Sequence, residues 1–242
     1  MAKKPSILIG LIGSGIGKSL TPPMHEHEGE KQGMRYVYRI IDLEQLRLGV
    51  ADLPDLLLAA ERLGFNGLNI THPCKQAVVE LLDELSEVAA KIGAVNTVMF
   101  SGGRRIGHNT DALGFFESFK EEIAATCRHD KILLLGVGGA GTAVAHTLLS
   151  QTDCRLEIFD VDAARGNSVV EYLREAYGTD RAAVADSVAD SLARSDGVIN
   201  ATPVGMSHHP GCPLDSKLLR PALWVADVVY VPMETELMQA AS

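Results

Sequence analysis

The fold is decided by residues 131–160, KILLLGVGGAGTAVAHTLLSQTDCRLEIFD. Ile132–Leu135 is an uninterrupted apolar run, the pattern of a strand buried on both faces. It leads straight into Gly136-Val137-Gly138-Gly139-Ala140-Gly141, which satisfies G-x-G-x-x-G. Thr142–Ser150 reads as a helix and Arg155–Phe159 as a second short strand that closes on Asp160. The glycines then serve separate ends, namely a tight turn, close backbone approach to a pyrophosphate, and close packing of helix on strand. The helix N-terminus adds free N–H groups and partial positive charge for the phosphates. A glycine triplet alone is an ordinary turn. With a strand before it, a helix after it and an acidic residue about 20 residues on, it is the fingerprint of a dinucleotide-binding Rossmann unit. Gly136, Gly138, Gly139, Ala140, Gly141 and Asp160 are its candidate cofactor-binding residues.

Outward from that stretch, strands and helices keep alternating. After Asp160 the pattern predicts a helix over Ala163–Tyr177, a strand near Ala182–Ala185 and a helix over Ser187–Arg194. A strand over Gly197–Asn200, a turn over Ala201–Gly205 and a last strand over Leu223–Tyr230 follow. Before Lys131 it predicts a strand over Ser6–Gly13, a loop over Ser14–Leu20 and a helix starting at Thr21-Pro22-Pro23, with Thr21 as N-cap. Next come a strand over Arg35–Ile41, an amphipathic helix over Leu53–Leu63 and a strand over Phe65–Thr71. Ala77, Val78, Leu81, Leu82 and Leu85 form a stripe that predicts a helix over Cys74–Leu85. Ala94–Phe100 and Arg104–Gly107 make a hairpin around Gly102-Gly103, and Asp111–Ile123 a further helix. The expected architecture is α/β, with an N-terminal α/β substrate-binding domain (1–113) and a Rossmann domain (114–237). Residues 238–242 begin one more helix.

Composition excludes several classes. With 22 Lys and Arg against 31 Asp and Glu, the net charge is −9, and no basic cluster suits a nucleic acid. An anionic substrate must be held by local groups, not by the overall field. Cys74, Cys127, Cys154 and Cys212 are scattered, as reduced structural thiols are. His25 and His27 are two residues apart and do not share a helix face, so no metal is expected. There is no leader-like segment and no run of about 18 apolar residues, which points to a cytoplasmic protein without a membrane partner.

Polar residues gather where strands end or helices start: Ser19-Leu20-Thr21, Asn69 to Lys75, Gly93 to Thr97, Gly107 to Asp111, and Tyr230. Hydroxyls, amides, one Lys and one Asp suit a polyol bearing a carboxylate, and ligands of open α/β sheets collect outside the carboxyl ends of strands. Singly, each has a plainer role: Thr21 and Thr71 are good N-caps, Asp111 a good helix start, Lys75 a solvated side chain.

The set resembles the shikimate/quinate dehydrogenase family over nearly all of residues 7–240. The matching blocks are GLIG and KSLTPPMH (10–25), GLNITHPCK (67–75), GAVNTV (93–98), GHNTDALGF (107–115), LLLGVGGAG (133–141), INATPVGM (199–206) and DVVYVPMETEL (227–237). The resemblance implies a substrate domain and a Rossmann domain with the active cleft between them. It makes Lys75 and Asp111 the catalytic pair, and Ser19, Thr21, Thr71, Asn96 and Tyr230 substrate contacts. Val161, Arg165, Thr202, Val204 and Val228 join the glycine loop and Asp160 as cofactor contacts. The implied reaction is the interconversion of quinate or shikimate with the 3-dehydro ketone, within aromatic amino acid biosynthesis or quinate use. Oxidising a secondary alcohol sends a hydride to a nicotinamide and a proton to a base. A lysine can be that base where its surroundings disfavour the ammonium form. A neighbouring carboxylate favours the ammonium, so Asp111 would orient and not create the base.

Many family members have Asn-Arg-Thr after the second Rossmann strand, where this chain has Asp160-Val161-Asp162. A carboxylate accepts from a ribose diol and repels a 2′-phosphate, so NAD is expected over NADP. Ser19-Leu20-Thr21-Pro22, in place of the commoner Ser-Leu-Ser-Pro, resembles the NAD-dependent quinate/shikimate branch. Family members normally continue past Thr-Glu-Leu with a Gly-rich loop and a helix carrying a substrate-contacting Gln; 238–242 would be its beginning. The alternatives are an NADP-linked shikimate dehydrogenase and a catalytically silent ligand- or nucleotide-binding homologue. The protein would act on its small-molecule substrate, a polyhydroxylated cyclohexane or cyclohexene carboxylate, as a monomer or homodimer.

Overall fold

The computed structural model describes residues 5–242. The chain divides into two compact units, at Thr110/Asp111. The cut falls at the start of a helix, so that helix belongs whole to the second unit.

The first unit is built on a six-stranded sheet of β1 (Ser6–Gly13), β2 (Arg35–Asp42), β3 (Gly67–Ile70), β4 (Glu84–Leu85), β5 (Thr97–Ser101) and β6 (Arg104–His108), in the order β2-β1-β3-β5-β6-β4. β1 pairs parallel with β2 and β3, whereas β5 runs antiparallel to both β3 and β6. Gly102 and Gly103 both take positive φ, the two-residue turn that the twist of a hairpin favours. Helices α1 (Thr21–Lys31), α2 (Leu43–Leu46), α3 (Leu53–Arg62) and α4 (Glu87–Ile92) complete the unit. Ile12, Leu57, Leu68, Ile70 and Val98 form the middle of its core. Arg105 on β6 grips Glu61 of α3 through two guanidinium nitrogens at 3.0 and 2.8 Å.

The second unit contains α5 (Asp111–Phe119), extended by one wider turn over Lys120–Ala124, then β7 (Lys131–Leu135), α6 (Gly139–Gln151) and β8 (Arg155–Phe159). α7 (Ala163–Tyr177), β9 (Ala182–Val184), α8 (Val188–Arg194), β10 (Gly197–Asn200), β11 (Trp224–Asp227) and α9 (Glu236–Ala241) follow. The order β11-β10-β7-β8-β9 is wholly parallel with the unit's first strand, β7, central, the 3-2-1-4-5 arrangement of a Rossmann sheet. The apolar run of β7 explains why. Ile132 and Leu134 pack into one layer with Val144, Leu148 and Val170, and Leu133 and Leu135 into the other with Leu192, Leu223 and Leu237. Each such side chain contributes about 1.5–3 kcal/mol on burial. Among the described residues, no helix is long and apolar enough to cross a membrane.

Three sequence expectations change. Cys74–Leu85 is not an α-helix: after one turn (Val78 N to Cys74 O, 3.0 Å) the bonds shorten to i→i+3, and only Val79–Leu81 is a 3₁₀ turn. The Lys75 carbonyl accepts from Val95 N at 2.8 Å, and Glu84–Leu85 joins the sheet edge beside β6, so tertiary pairing replaces the helix ladder. The N-cap of α1 is Leu20, with no side-chain capping bond; Thr21 is the first helical residue. The last strand ends at Asp227, because the Asp227 carboxylate accepts from Val229 N at 2.9 Å and turns the chain.

Candidate functional site: a polar sheet end and a glycine cradle

In the first unit, the loops at the carboxyl ends of β1 and β3 are fastened to each other. Ser14 N donates to His72 O at 3.0 Å, and Thr71 N to Ile12 O at 2.9 Å. A Cβ on Gly13 would sit 2.3 Å from the Thr71 methyl, so glycine is what lets Thr71 lie over the β1 terminus. The buried Asp42 carboxylate anchors the first loop by accepting from Gly15 N and Ile16 N, both at 3.0 Å. Ser19 Oγ then donates to Thr21 Oγ1 at 3.0 Å, which sets the two hydroxyls side by side at the head of α1.

Lys75 is half-buried in the turn after β3, and its carbonyl is held by Val95, next to Asn96. Asn96 is itself pinned to the β6 exit: Thr110 N donates to its Oδ1 at 2.9 Å, and its Nδ2 donates to Thr110 Oγ1 at 2.9 Å. Ser19, Thr21, Thr71, Lys75 and Asn96 therefore belong to one end of one sheet. Between Thr71 and Lys75 lies Cys74, 0% exposed, its thiol pushed up to about 11 by burial. It is inert by that reading. Maleimide applied to the native protein near neutral pH should label the partly exposed Cys127 and Cys212 well before Cys74, as peptide mass spectrometry would show; equal labelling would contradict this burial.

Asp111 and Tyr230 belong to the second unit. Asp111 is the first residue of α5 and is half-buried. Tyr230 is 56% exposed on the loop after β11. Asp227 pins both ends of that loop, accepting from Val229 N on Oδ1 and from Thr235 Oγ1 at 2.7 Å on Oδ2.

The glycine turn of the second unit has the form a dinucleotide requires. Gly136 has φ +84°, and a Cβ on it would meet the Thr202 methyl at 2.8 Å. A Cβ on Gly141 would fall 2.0 Å from the Gly136 carbonyl, so only glycine allows α6 to pack so close to β7. Gly138, the N-cap residue of α6, faces open space instead, which leaves the helix N-terminus with Gly139 and Ala140 accessible to a pyrophosphate. Thr142 Oγ1 to Val137 O (3.1 Å) and Gly136 N to Phe159 O (2.8 Å) hold the turn in place.

Asp160 is at the carboxyl end of β8, where the sequence expects it, and its carboxylate is engaged by neighbouring donors. Its side chain is 2% exposed and accepts from Val137 N (2.8 Å), Asp162 N (2.8 Å), and Arg165 Nε and Nη2 (3.2 and 2.6 Å). Burial pushes its carboxyl up, but the bonds from Arg165, Val137 and Asp162 outweigh that and hold it below the ordinary Asp value. The local reason is α7: Asp162 caps the helix by accepting from Arg165 N, which places Arg165 one turn from Asp160. Val161, 90% exposed, forms the open rim of this corner.

Sequence reasoning missed Asn200. Buried at the end of β10, it donates to Val204 O (3.0 Å) and Asp227 Oδ1 (2.9 Å), while its Oδ1 accepts from the Thr202 hydroxyl (2.7 Å) and Thr202 N (3.1 Å). Its carbonyl accepts from Val228 N at 2.9 Å. Asn200, through its side chain to Thr202 and Val204 and its backbone carbonyl to Val228, thus gathers these three residues beside the glycine turn. A polar residue closing the apolar strand GVIN was the available signal.

The model of the shikimate dehydrogenase substrate binding domain matches residues 11–98. The chain is 49% identical to a shikimate dehydrogenase (NADP(+)) of Streptomyces avermitilis, over 98% of this chain and 81% of the relative. It is 47% identical to a quinate/shikimate dehydrogenase (NAD(+)) of Corynebacterium glutamicum, over 98% of this chain and 84% of the relative. A solved structure of quinate dehydrogenase from Corynebacterium glutamicum in complex with NAD aligns with a TM-score of 0.89 and 46% identity, over 98% of this chain and 85% of that one. Identity at this level over almost the whole chain places the protein in the shikimate/quinate dehydrogenase family.

Proposed function

We propose that the protein is an NAD-dependent oxidoreductase that interconverts quinate or shikimate with the corresponding 3-dehydro ketone, as a cytoplasmic enzyme. The observation that carries this reading is the pairing, in one chain, of a glycine cradle open at Gly138 with a sheet end that gathers Ser19, Thr21, Thr71, Lys75 and Asn96. The hydroxyls and the Asn96 amide suit the hydroxyls and carboxylate of the ring. Lys75 takes the proton of the alcohol being oxidised, and Asp111 orients a neighbouring substrate hydroxyl. When bound, the nicotinamide supplies the hydride acceptor. On the protein side, the Gly138–Gly141 turn and the α6 N-terminus would hold the pyrophosphate, and Thr202, Val204 and Val228, gathered by Asn200 beside that turn, would supply further cofactor contacts.

The cofactor cannot be taken from identity alone, since relatives at 49% and 47% are named for NADP and NAD respectively. The local chemistry favours NAD, because the only Arg or Lys in 159–166 is Arg165, and Asp160 already engages it. A spectrophotometric panel of quinate and shikimate against NAD and NADP tests the reading. Reduction of NAD with either acid is the expected result, and no reduction of either cofactor by either acid would refute it.

Thr21 is expected to tune the choice between the two acids. With α1 capped by Leu20, its side chain is not spent on capping, and Ser19 holds its hydroxyl. Thr21→Ser keeps that hydroxyl and removes one methyl, a change worth ~1–3 kcal/mol in an apolar contact. Quinate has a C1 hydroxyl and a saturated ring that shikimate lacks, so the quinate/shikimate ratio of kcat/KM should shift by at least a few-fold, about the low end of that range. An unchanged ratio would remove Thr21 from substrate choice.

A further inference from the structure

Behind Asn96 runs a chain of hydrogen bonds that ends on a buried tyrosine three strands away. Tyr38, on β2 and 8% exposed, donates its hydroxyl to Asn69 Oδ1 at 2.6 Å. Asn69, on β3, donates Nδ2 to Thr97 Oγ1 at 3.0 Å. Thr97, the first residue of β5, donates its hydroxyl to Asn96 Oδ1 at 3.0 Å. The chain crosses β2, β3 and β5, passing β1, and none of its members is a neighbour in sequence except Thr97 and Asn96. The Tyr38 ring is fixed in turn, stacked at 5.1 Å and 22° on His25 of α1, the helix that Thr21 begins.

We propose that Tyr38 is a positioning residue that sets the orientation of the Asn96 amide for substrate, an inference that rests on the dehydrogenase reading above. The argument is one of donor direction. A phenol here gives its only proton to Asn69 Oδ1, which commits Asn69 to present Nδ2 to Thr97. Thr97 then accepts on one side and gives its only proton to Asn96 Oδ1. That leaves Asn96 with its carbonyl turned into the protein and its NH₂ as the donating end. Removing the phenol proton releases Asn69 to turn over and accept from Thr97, and the Thr97 proton is lost to Asn96. The Thr110 N–H still holds that carbonyl, so the amide orientation loosens without being destroyed. Linked hydrogen bonds of this kind act together, not as independent pairs.

Tyr38→Phe keeps the ring, its packing and the His25 stack, and deletes only the hydroxyl. The expected result is a KM for quinate and shikimate raised about three- to tenfold, the worth of one net hydrogen bond, with KM for NAD nearly unchanged and the melting temperature lowered by only about a few degrees. Tyr36→Phe is the control: Tyr36 also stacks on His25, at 5.8 Å, but lies outside the chain of bonds and should leave substrate KM alone. In a Thr97→Val background, where the chain is already cut, Tyr38→Phe should add less than about twofold, whereas independent effects would multiply. An unmoved substrate KM in Tyr38→Phe, or a full multiplicative effect on top of Thr97→Val, would overturn the relay while leaving the enzyme assignment intact. Absence of turnover by the unmodified protein would overturn the assignment, and the role of Tyr38 with it.

Discussion

Lys75→Ala lowers kcat for quinate or shikimate oxidation by about 10²–10⁴-fold, the range for loss of a general acid–base group, while the affinity for NAD stays near that of the unmodified protein. The expectation follows from where the residue sits. Lys75 is half-buried in the turn after β3, its backbone tied to Val95 and so to the Asn96 end of the sheet, in the unit that does not carry the glycine cradle. Steady-state kinetics with both acids, together with NAD titration by fluorescence, separates the two effects. Lys75→Arg sharpens the test, because a guanidinium keeps the charge and cannot release its proton near neutral pH. It should restore substrate KM more than kcat. Near-normal kcat in Lys75→Ala would remove the residue from the chemistry. Asp111→Asn should also lower kcat; it keeps the shape of the side chain at the start of α5 and removes its charge, at a cost to the helix of only about 0.3–1 kcal/mol. Unchanged turnover there would reduce Asp111 to a helix-initiating residue.

The unmodified protein should use NAD at least about tenfold better than NADP in kcat/KM, a gap that needs only about 1.4 kcal/mol. A 2′-phosphate brings about −1.5 to −2 charges near neutral pH. At ~4 Å from a carboxylate, with an effective dielectric near 20, each like-charge pair costs up to about 4 kcal/mol. In the structure Arg165 offsets part of that, since it lies 2.6 Å from Asp160. The discrimination therefore has two parts: the carboxylate repels the phosphate, and it keeps Arg165 from reaching one. Asp160→Ala removes both and should narrow the gap mainly by admitting NADP. It should also weaken NAD binding, because Val137 N loses its acceptor beside the glycine turn. The double variant Asp160→Ala/Arg165→Ala should gain less NADP activity than the single one, since the released guanidinium is gone. Replacing Val161 by Arg on top of Asp160→Ala should narrow the gap further. Equal efficiency of the unmodified protein with both cofactors would defeat this account.

Much of this protein is written locally in its sequence. The run ILLL before G-x-G-x-x-G, the ranges of β1, β8, α7 and β10, and the Gly102-Gly103 turn follow from short-range rules, because apolar periodicity and glycine conformation are properties of a few consecutive residues. The family blocks also name Lys75, Asn96 and Asp111 as a set. Tertiary structure decided what lay in competition between local and distant partners. Cys74–Leu85 has a helical stripe, yet the Val95 amide and the edge of β6 capture its backbone, and its helix ladder is abandoned. Thr21 has the composition of a cap, but its hydroxyl bonds to Ser19 while Leu20 holds the cap position. Asp160 is legible as an acid at the end of a strand. That it is closed off by Arg165 depends on α7 beginning at Ala163 and bringing that guanidinium back over the β8 terminus. Asn200 and Tyr38 carry little local signal of what they hold together, because their partners Asp227 and Asn69 are 27 and 31 residues away in sequence. Hydrogen-bond direction over such spans exists only once the sheets have formed.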